Sequence, residues 1–363
     1  ALERAYQRTA PTTRDEEWRF TDLTPLYQLA FGPAQPAAAP TGTQLAGFQV
    51  SEAEVTLAFV DGRFAPALSR LGPATGVTAQ SLASAIQTEP DRLRGALGAL
   101  APVDERAFCA VNTAWFADGA LVHVGRNQAA TAPVHLLFVS TQDEVAVHPR
   151  VLVRLEEGAQ ATVIEDYVAL AGGAYLVNAV TEIDIAAGAR LRHVRMQRES
   201  LAAFHIGSCT ARVARDARLD SVSVALGARI SRLDLDVEQA GEGAEIHLDG
   251  LALIGARQLA DTHSRVDHAM PHGTSRQLHK CVAGGNAHGV FNGKILVRRG
   301  AQQTDSAQQS RNLLLAPRAH VDAKPQLEIY ADDVKAAHGA TVGQLDADAL
   351  FYLRSRGIDE HTA

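Results

Sequence analysis

Four histidines crowd the segment DTHSRVDHAMPHGTSRQLHK: His263, His268, His272 and His279, at spacings of 5, 4 and 7. Imidazole is a common transition-metal ligand, so the run raises a His-cluster metalloprotein as one function class. On a helix, a separation of four would put His268 and His272 on one face. Pro271 lies between them, however, and proline breaks helical hydrogen bonding. On strands, odd and even positions face opposite sides. A histidine ladder along stacked strands therefore accounts for the run at least as well as a metal site.

His338 stands apart, in YADDVKAAHGATVG, with no catalytic partner beside it. It is either a packed histidine satisfied by backbone or a metal or sulfide ligand. One neutral imidazole holds a transition metal weakly, so a ligand role needs further donors from elsewhere. The pattern alone favours packing.

Other chemistry is thinly represented. Glu165-Asp166 and Asp332-Asp333 are adjacent carboxylates. Neighbours on a strand point to opposite faces, so neither pair makes an acid/base dyad, and both are expected as exposed strand acids. Asp305 and Ser306 lack the G-x-S-x-G elbow of a serine nucleophile. No G-x-x-x-x-G-K-[ST] loop and no G-x-G-x-x-G fingerprint occurs, which argues against ATP hydrolysis by this chain alone and against a Rossmann site. Cys109, Cys209 and Cys281 are 100 and 72 residues apart, without a C-x-x-C pair. That spacing disfavours a disulfide framework or a self-contained zinc or iron–sulfur site, and fits a reducing, cytoplasmic setting.

The elements that must position these residues change character along the chain. Residues 1 to about 30 read as a helix, a polar turn and RDEEWRFTDLTPL; 31–45, rich in Pro, Ala and Gly, read as a linker. EVTLAFVDGRF reads as a strand ending in an Asp61-Gly62 turn. Leu82, Ile86, Leu93 and Leu97 fall at helical spacing, with Pro90 dividing the stretch into two helices. From about residue 112 helical periodicity gives way to short strands. In RLDLDVE, Leu233, Leu235 and Val237 face one way and Arg232, Asp234, Asp236 and Glu238 the other. VNAVTEIDIAAGA repeats the alternation, Ile183 and Ile185 against Glu182 and Asp184.

Gly-Ala or Asp-Ala corners recur at 158, 188, 216 and 243, which are 30, 28 and 27 residues apart. This period, with two or three strands in each, is the mark of a β-solenoid. A closed antiparallel barrel would need hairpin turns such as Asn-Gly, of which FNGK is one instance. The fold expected is therefore mainly β: an N-terminal helical and mixed region over 1–110, a β-helix core over 111–344, and a helical region from 345 to 363. Asp346 is placed to cap that last helix and Gly357 to close it, with Leu350, Phe351, Leu353 and Arg354 forming an amphipathic surface.

The net charge of −7 argues against a non-specific nucleic-acid binder. No run of 18 or more apolar residues predicts a membrane span, and the polar start ALERAYQRTA is unlike a signal peptide. A carbohydrate-active β-helix enzyme is a second competing class, but its sugar platforms need aromatics, and only 2 Trp and 6 Tyr are present.

The stretch AQQTDSAQQSRNLLLAPRAHVDAKPQLEIYADDVKAAHGATVGQLDADALFYLRSRGI closely resembles the SufB/SufD family of the SUF iron–sulfur cluster assembly machinery. TRDEEWRFTDL, VNTAWFADGALVHV, HPRVLVRLEEGAQATVIEDY and SRQLHKCVAGGNAHGVFNGKI resemble it elsewhere, so the likeness covers most of the chain. The short chain points to the SufD side of the family. The resemblance implies a right-handed parallel β-helix between helical terminal regions, and a non-catalytic scaffold subunit. It implies pairing with SufB through the β-helices and docking of the SufC ATPase through C-terminal helices. It places the nascent cluster at the SufB–SufD interface, with His338 as a ligand and Leu350, Phe351, Leu353 and Arg354 at the start of the ATPase-docking region. No cofactor is expected in the isolated chain. In the complex a transient iron–sulfur cluster is expected, and a reduced flavin is allowed. A homodimer of the isolated chain through an exposed β-helix edge is a further expectation.

Two departures from the family matter. Many members read Lys-Cys-Ser-His where this chain has Lys335-Ala336-Ala337-His338, so the thiol at 336 is missing. Clusters are held mostly by thiolates, so this chain is expected to offer imidazole and draw thiolates from a partner. Members also usually continue past SRGI with helices that grip the ATPase, so the docking region is expected to be truncated here.

Overall fold

In the computed structural model, which describes residues 3, 5, 9–36, 38–72, 76–359 and 362, the repeated corners stack on one another. The helix expected at the start of the chain falls mostly outside the described residues. Gly158, Gly188, Asp216 and Gly243 all take positive φ, between 55° and 70°. Glycine enters this left-handed region freely and aspartate tolerates it. The N–H groups of Gly158, Gly188 and Asp216 donate, each at 2.9 Å, to Ala187, Arg215 and Glu242 of the following turn. The alanine after each corner residue is fully buried. Small size and a left-handed turn thus explain the Gly-Ala signature. The same column includes Asn127, His272 and Gln303, also at positive φ, which the dipeptide pattern did not reveal.

The corners bend the chain into a mainly β, parallel β-helix of about eight turns, with a few helices at the ends. Each turn gives one strand to each of two sheets, so sequential strands alternate between them. The first sheet runs through Arg150–Leu155, Leu176–Ile185, Phe204–Val213, Ile230–Gln239, Leu259–His268 and His288–Val297 to His320–Ile329. The second runs through Val134–Ser140, Gln160–Ala169, Arg190–Arg198, Arg218–Ala225, Glu245–Ile254, Thr274–Ala283 and Thr304–Leu314 to Val334–Gln344.

In-register parallel pairing stacks like positions into columns, so each inward column is a core element. At the N-terminal end these columns begin apolar, until Glu165 follows Leu136 in one of them. Phe59, Phe138 and Tyr167 stack with centroids 5.0 and 4.8 Å apart, beside Val55–Val134–Val163 and Leu57–Leu136. Val55–Val60 reaches the second sheet from the N-terminal region and turns at Asp61-Gly62, as the sequence predicted. Leu82–Thr88 and Pro90–Leu93 are separate helices divided at Pro90. At the far end the chain leaves through Ala347–Ser355. Asp346 caps that helix, accepting from the Asp348 and Ala349 N–H groups, and Gly357 follows at φ 84°. Among the described residues, no helix is long and apolar enough to cross a membrane.

Candidate functional site

His338 occupies the last place in an inward column of the second sheet: Val163, His193, Ser221, Leu248, Gln277, Gln308, His338. Every earlier member is buried. His338 is exposed because, among the described residues, its strand ends the sheet and no further turn covers it. The lone histidine is therefore not packing, as its local sequence favoured, but the uncovered end of the β-helix interior.

The turns behind it are unusually polar for a core. Ser275, Gln277, His279, Ser306, Gln308, Ser310 and Asn312 are all buried. Gln308 reaches across to the first sheet, where any side chain at Gly293 would collide with its amide. Gln277 Nε2, His279 Nε2, Ser306 Oγ and both polar atoms of the Gln308 amide lack a hydrogen-bond partner. Buried polar groups are rarely left so, and here five such atoms gather in the interior of two adjacent turns.

Thiols do not reach His338. Cys109, Cys209 and Cys281 are free and buried. Cys281 shares an inward column with Asn312 and Val342, two turns inside the end strand. Burial pushes its thiol up to about 11, as it does for Cys109. At this end the chain thus presents the exposed His338 imidazole on the inward column, with none of its three thiols beside it.

The end surface is also apolar in part. Tyr330 is 62% exposed, and Val342 and Leu345 are exposed on or just after the end strand. In the helix Ala347–Ser355, Phe351 is 73% exposed, Leu350 and Leu353 are half-buried, and Arg354 lies on the surface.

The four-histidine run does not converge. His263 projects from the outer face of the first sheet, within 3.1 Å of both Asp261 and Glu17. His268 is buried, bonded to Gln239 and Ser275. His272 is an exposed corner residue. His279 stacks inside on Phe291, centroids 4.4 Å apart. Alternation and the Pro271 corner send the four to different surroundings.

Glu165 and Asp166 correct the expectation of exposed strand acids, because both are buried. Glu165 points inward and accepts from Tyr167 Oη at 2.7 Å and Thr181 Oγ1 at 3.0 Å, with His193 Nε2 also at 3.0 Å. Burial opposes its charge, but the hydrogen bonds of His193 and Tyr167, with the Arg195 guanidinium nearby, outweigh that and hold the carboxyl below the usual range. Asp166 faces out and is covered by the Arg198 guanidinium at 2.6 Å. Asp332 and Asp333 are exposed, in a bend before the last strand rather than on it.

The outer face of the first sheet hides further charges. The Arg232 guanidinium lies 3.8 Å from the Trp18 ring centre and donates to the Glu17 carbonyl at 2.7 Å. It also pairs with Asp234 and Asp261, while Thr21 donates to Asp261 at 2.5 Å. The segment EEWRFTDL therefore clamps a charged ladder that alternation alone would leave facing solvent.

Comparison with known proteins agrees with this architecture. Residues 138–363 match the family model described as "SUF system FeS cluster assembly, SufBD core domain". Residues 1–136 match the "SufBD protein N-terminal region". The chain belongs to the SufBD family. Membership gives it a role in SUF iron–sulfur cluster assembly. A SufBD family protein of Synechocystis is 37% identical, over 97% of this chain and 80% of the relative. The iron–sulfur cluster assembly protein SufD of Escherichia coli is 34% identical, over 97% and 81%. A SufBD family protein of Mycobacterium bovis is 32% identical, again over 97% and 81%. Within this SufBD chain, the matched core contains His338 and the uncovered β-helix end.

Proposed function

We propose that this chain is a SufD-type, non-catalytic scaffold subunit of the SUF machinery, working in the cytoplasm. It pairs with SufB through the open end of its β-helix and docks the SufC ATPase through the helix Ala347–Ser355. The nascent cluster is the cargo at the shared interface. His338 supplies one ligand, and thiolates come from the partner.

The observation that carries this reading is the position of His338, exposed at the end of an inward column on a strand whose outer edge has no neighbour in its sheet among the described residues. Unpaired strand edges and exposed Tyr330, Val342 and Leu345 suit a second chain. Phe351 offers the ATPase an apolar anchor.

Co-expression with the SufB and SufC homologues of the same source, followed by pull-down through SufB, tests the reading. Recovery of a stoichiometric complex is expected. Its absence, with all three chains folded, would overturn the assignment.

A further inference from the structure

His288 and His320 face each other across the last strand pair of the first sheet, on its outer side and away from His338. Their rings stack with centroids 3.9 Å apart. Asp322, two residues beyond His320, brings its Oδ2 to 2.7 Å from His288 Nε2. Ligand atoms from all three residues lie within 4.8 Å of one another, the only such trio among the described residues.

We propose that His288, His320 and Asp322 form a surface site for a divalent first-row transition metal. Two imidazoles and a carboxylate suit Zn²⁺, Co²⁺, Ni²⁺ or Fe²⁺, and disfavour Mg²⁺ and Ca²⁺, which take oxygen ligands. Metal–ligand bonds of roughly 2.0–2.2 Å need donor separations of about 3.4 Å. The His288–Asp322 contact would open slightly and the stacked rings would turn toward a common point. The side chains have that freedom: His320 is exposed and the Asp322 side chain is 40% exposed. The backbones do not need to move, because the parallel ladder pairs His288 with His320 directly. Three protein donors leave at least one coordination position open to water, the arrangement of an exchangeable rather than a closed structural site. This inference stands apart from the cluster-assembly reading, since it uses none of the residues assigned to that role.

The test is titration of the purified, untagged chain with Co²⁺ in metal-free buffer, read by visible d–d absorption, with Zn²⁺ followed by calorimetry. The expected result is one equivalent bound, a tetrahedral or five-coordinate cobalt spectrum, and displacement by Zn²⁺. Asp322→Asn and His320→Ala should each weaken binding on the order of tenfold or more, with unchanged melting temperature because both side chains lie at the surface. His272→Ala should bind as the parent does. Parent-like cobalt binding by both Asp322→Asn and His320→Ala would overturn the proposal, and so would failure of the parent to bind at micromolar metal.

Discussion

Glu182 and Arg150 form a fully buried ion pair, Oε1 to Nη2 at 2.6 Å, on the outer face of the first sheet. Glu182 also accepts from the backbone N–H groups of Gly98, Leu100 and Ala101, at 2.8, 2.8 and 3.1 Å. Arg150 donates to Asn112 Oδ1 and Thr113 Oγ1 on the helix Ala107–Trp115. Two side chains thus fasten the N-terminal region to the β-helix. Glu182→Ala strips partners from three amides and leaves a buried guanidinium unpaired, at a cost of about 3–5 kcal/mol. Denaturant unfolding should show that loss, and limited proteolysis should newly cut between residues 94 and 106. The double change Arg150→Met with Glu182→Leu should recover part of it, because no lone charge is then buried.

The same logic applies inside the β-helix at Glu165. Glu165→Leu removes the partner of His193, Tyr167 and Thr181 and should destabilise by about 3 kcal/mol or more. Adding His193→Leu should restore part of the loss, since the diagonal neighbour of the new leucine is then apolar too, while the buried Arg195 guanidinium paired with position 165 still lacks its carboxylate. A double-mutant cycle by urea denaturation measures the coupling. Strictly additive losses would show that the two groups do not stabilise each other.

His263 makes the clamp on EEWRFTDL pH-dependent. Burial opposes its protonation, but the Asp261 carboxylate and hydrogen bonds to Asp261 and Glu17 prevail and raise its pKa from 6.5 to about 9. Arg232 opposes that rise, though less strongly. A pKa higher in the folded state favours folding while the group stays protonated. The contribution, on the order of 3 kcal/mol, is full below about pH 6.5 and is lost as pH rises through about 9. Melting temperature should fall across that window, and His263→Gln should flatten the fall while lowering stability at pH 6.

His338→Ala should leave melting temperature nearly unchanged, within about 1 kcal/mol of stability, because the ring is exposed at the end of the column. The complex with SufB should still form, since many apolar contacts carry such an interface. Cluster-dependent growth should drop sharply. A destabilised variant with normal cluster assembly per folded molecule would return His338 to a structural role.

Phe351→Asp should weaken capture of SufC without altering the fold, because the ring is already largely exposed and the change introduces a charge into an apolar contact. Affinity measured with the full heterocomplex, parent against variant, checks this. Equal affinity would place the ATPase elsewhere.

Much of the architecture was legible from particular residues. A corner residue at positive φ followed by an inward small side chain selects Gly-Ala, so the turn period could be read at 158, 188, 216 and 243. The Asp346 cap and the Pro90 break were equally readable, because capping and proline geometry act within a few residues. Alternation in RLDLDVE showed which side chains share a face, because strand geometry is local. It could not show that the charged face would be covered. The partners of Arg232 and His263 include Trp18 and Glu17, more than 200 residues away in the chain. Glu165 and Asp166 read as surface acids for the same reason: their partners His193, Thr181 and Arg198 come from other strands of the β-helix. His338 depended most on the tertiary structure. Its neighbours Gln308 and Gln277 are placed by stacking, and its exposure follows only from its strand being the last in the sheet. Sequence determines the repeating turn because its rules are local backbone and side-chain geometry. Which columns are covered, and which end stays open, follows from how the turns stack and where the terminal regions fold back.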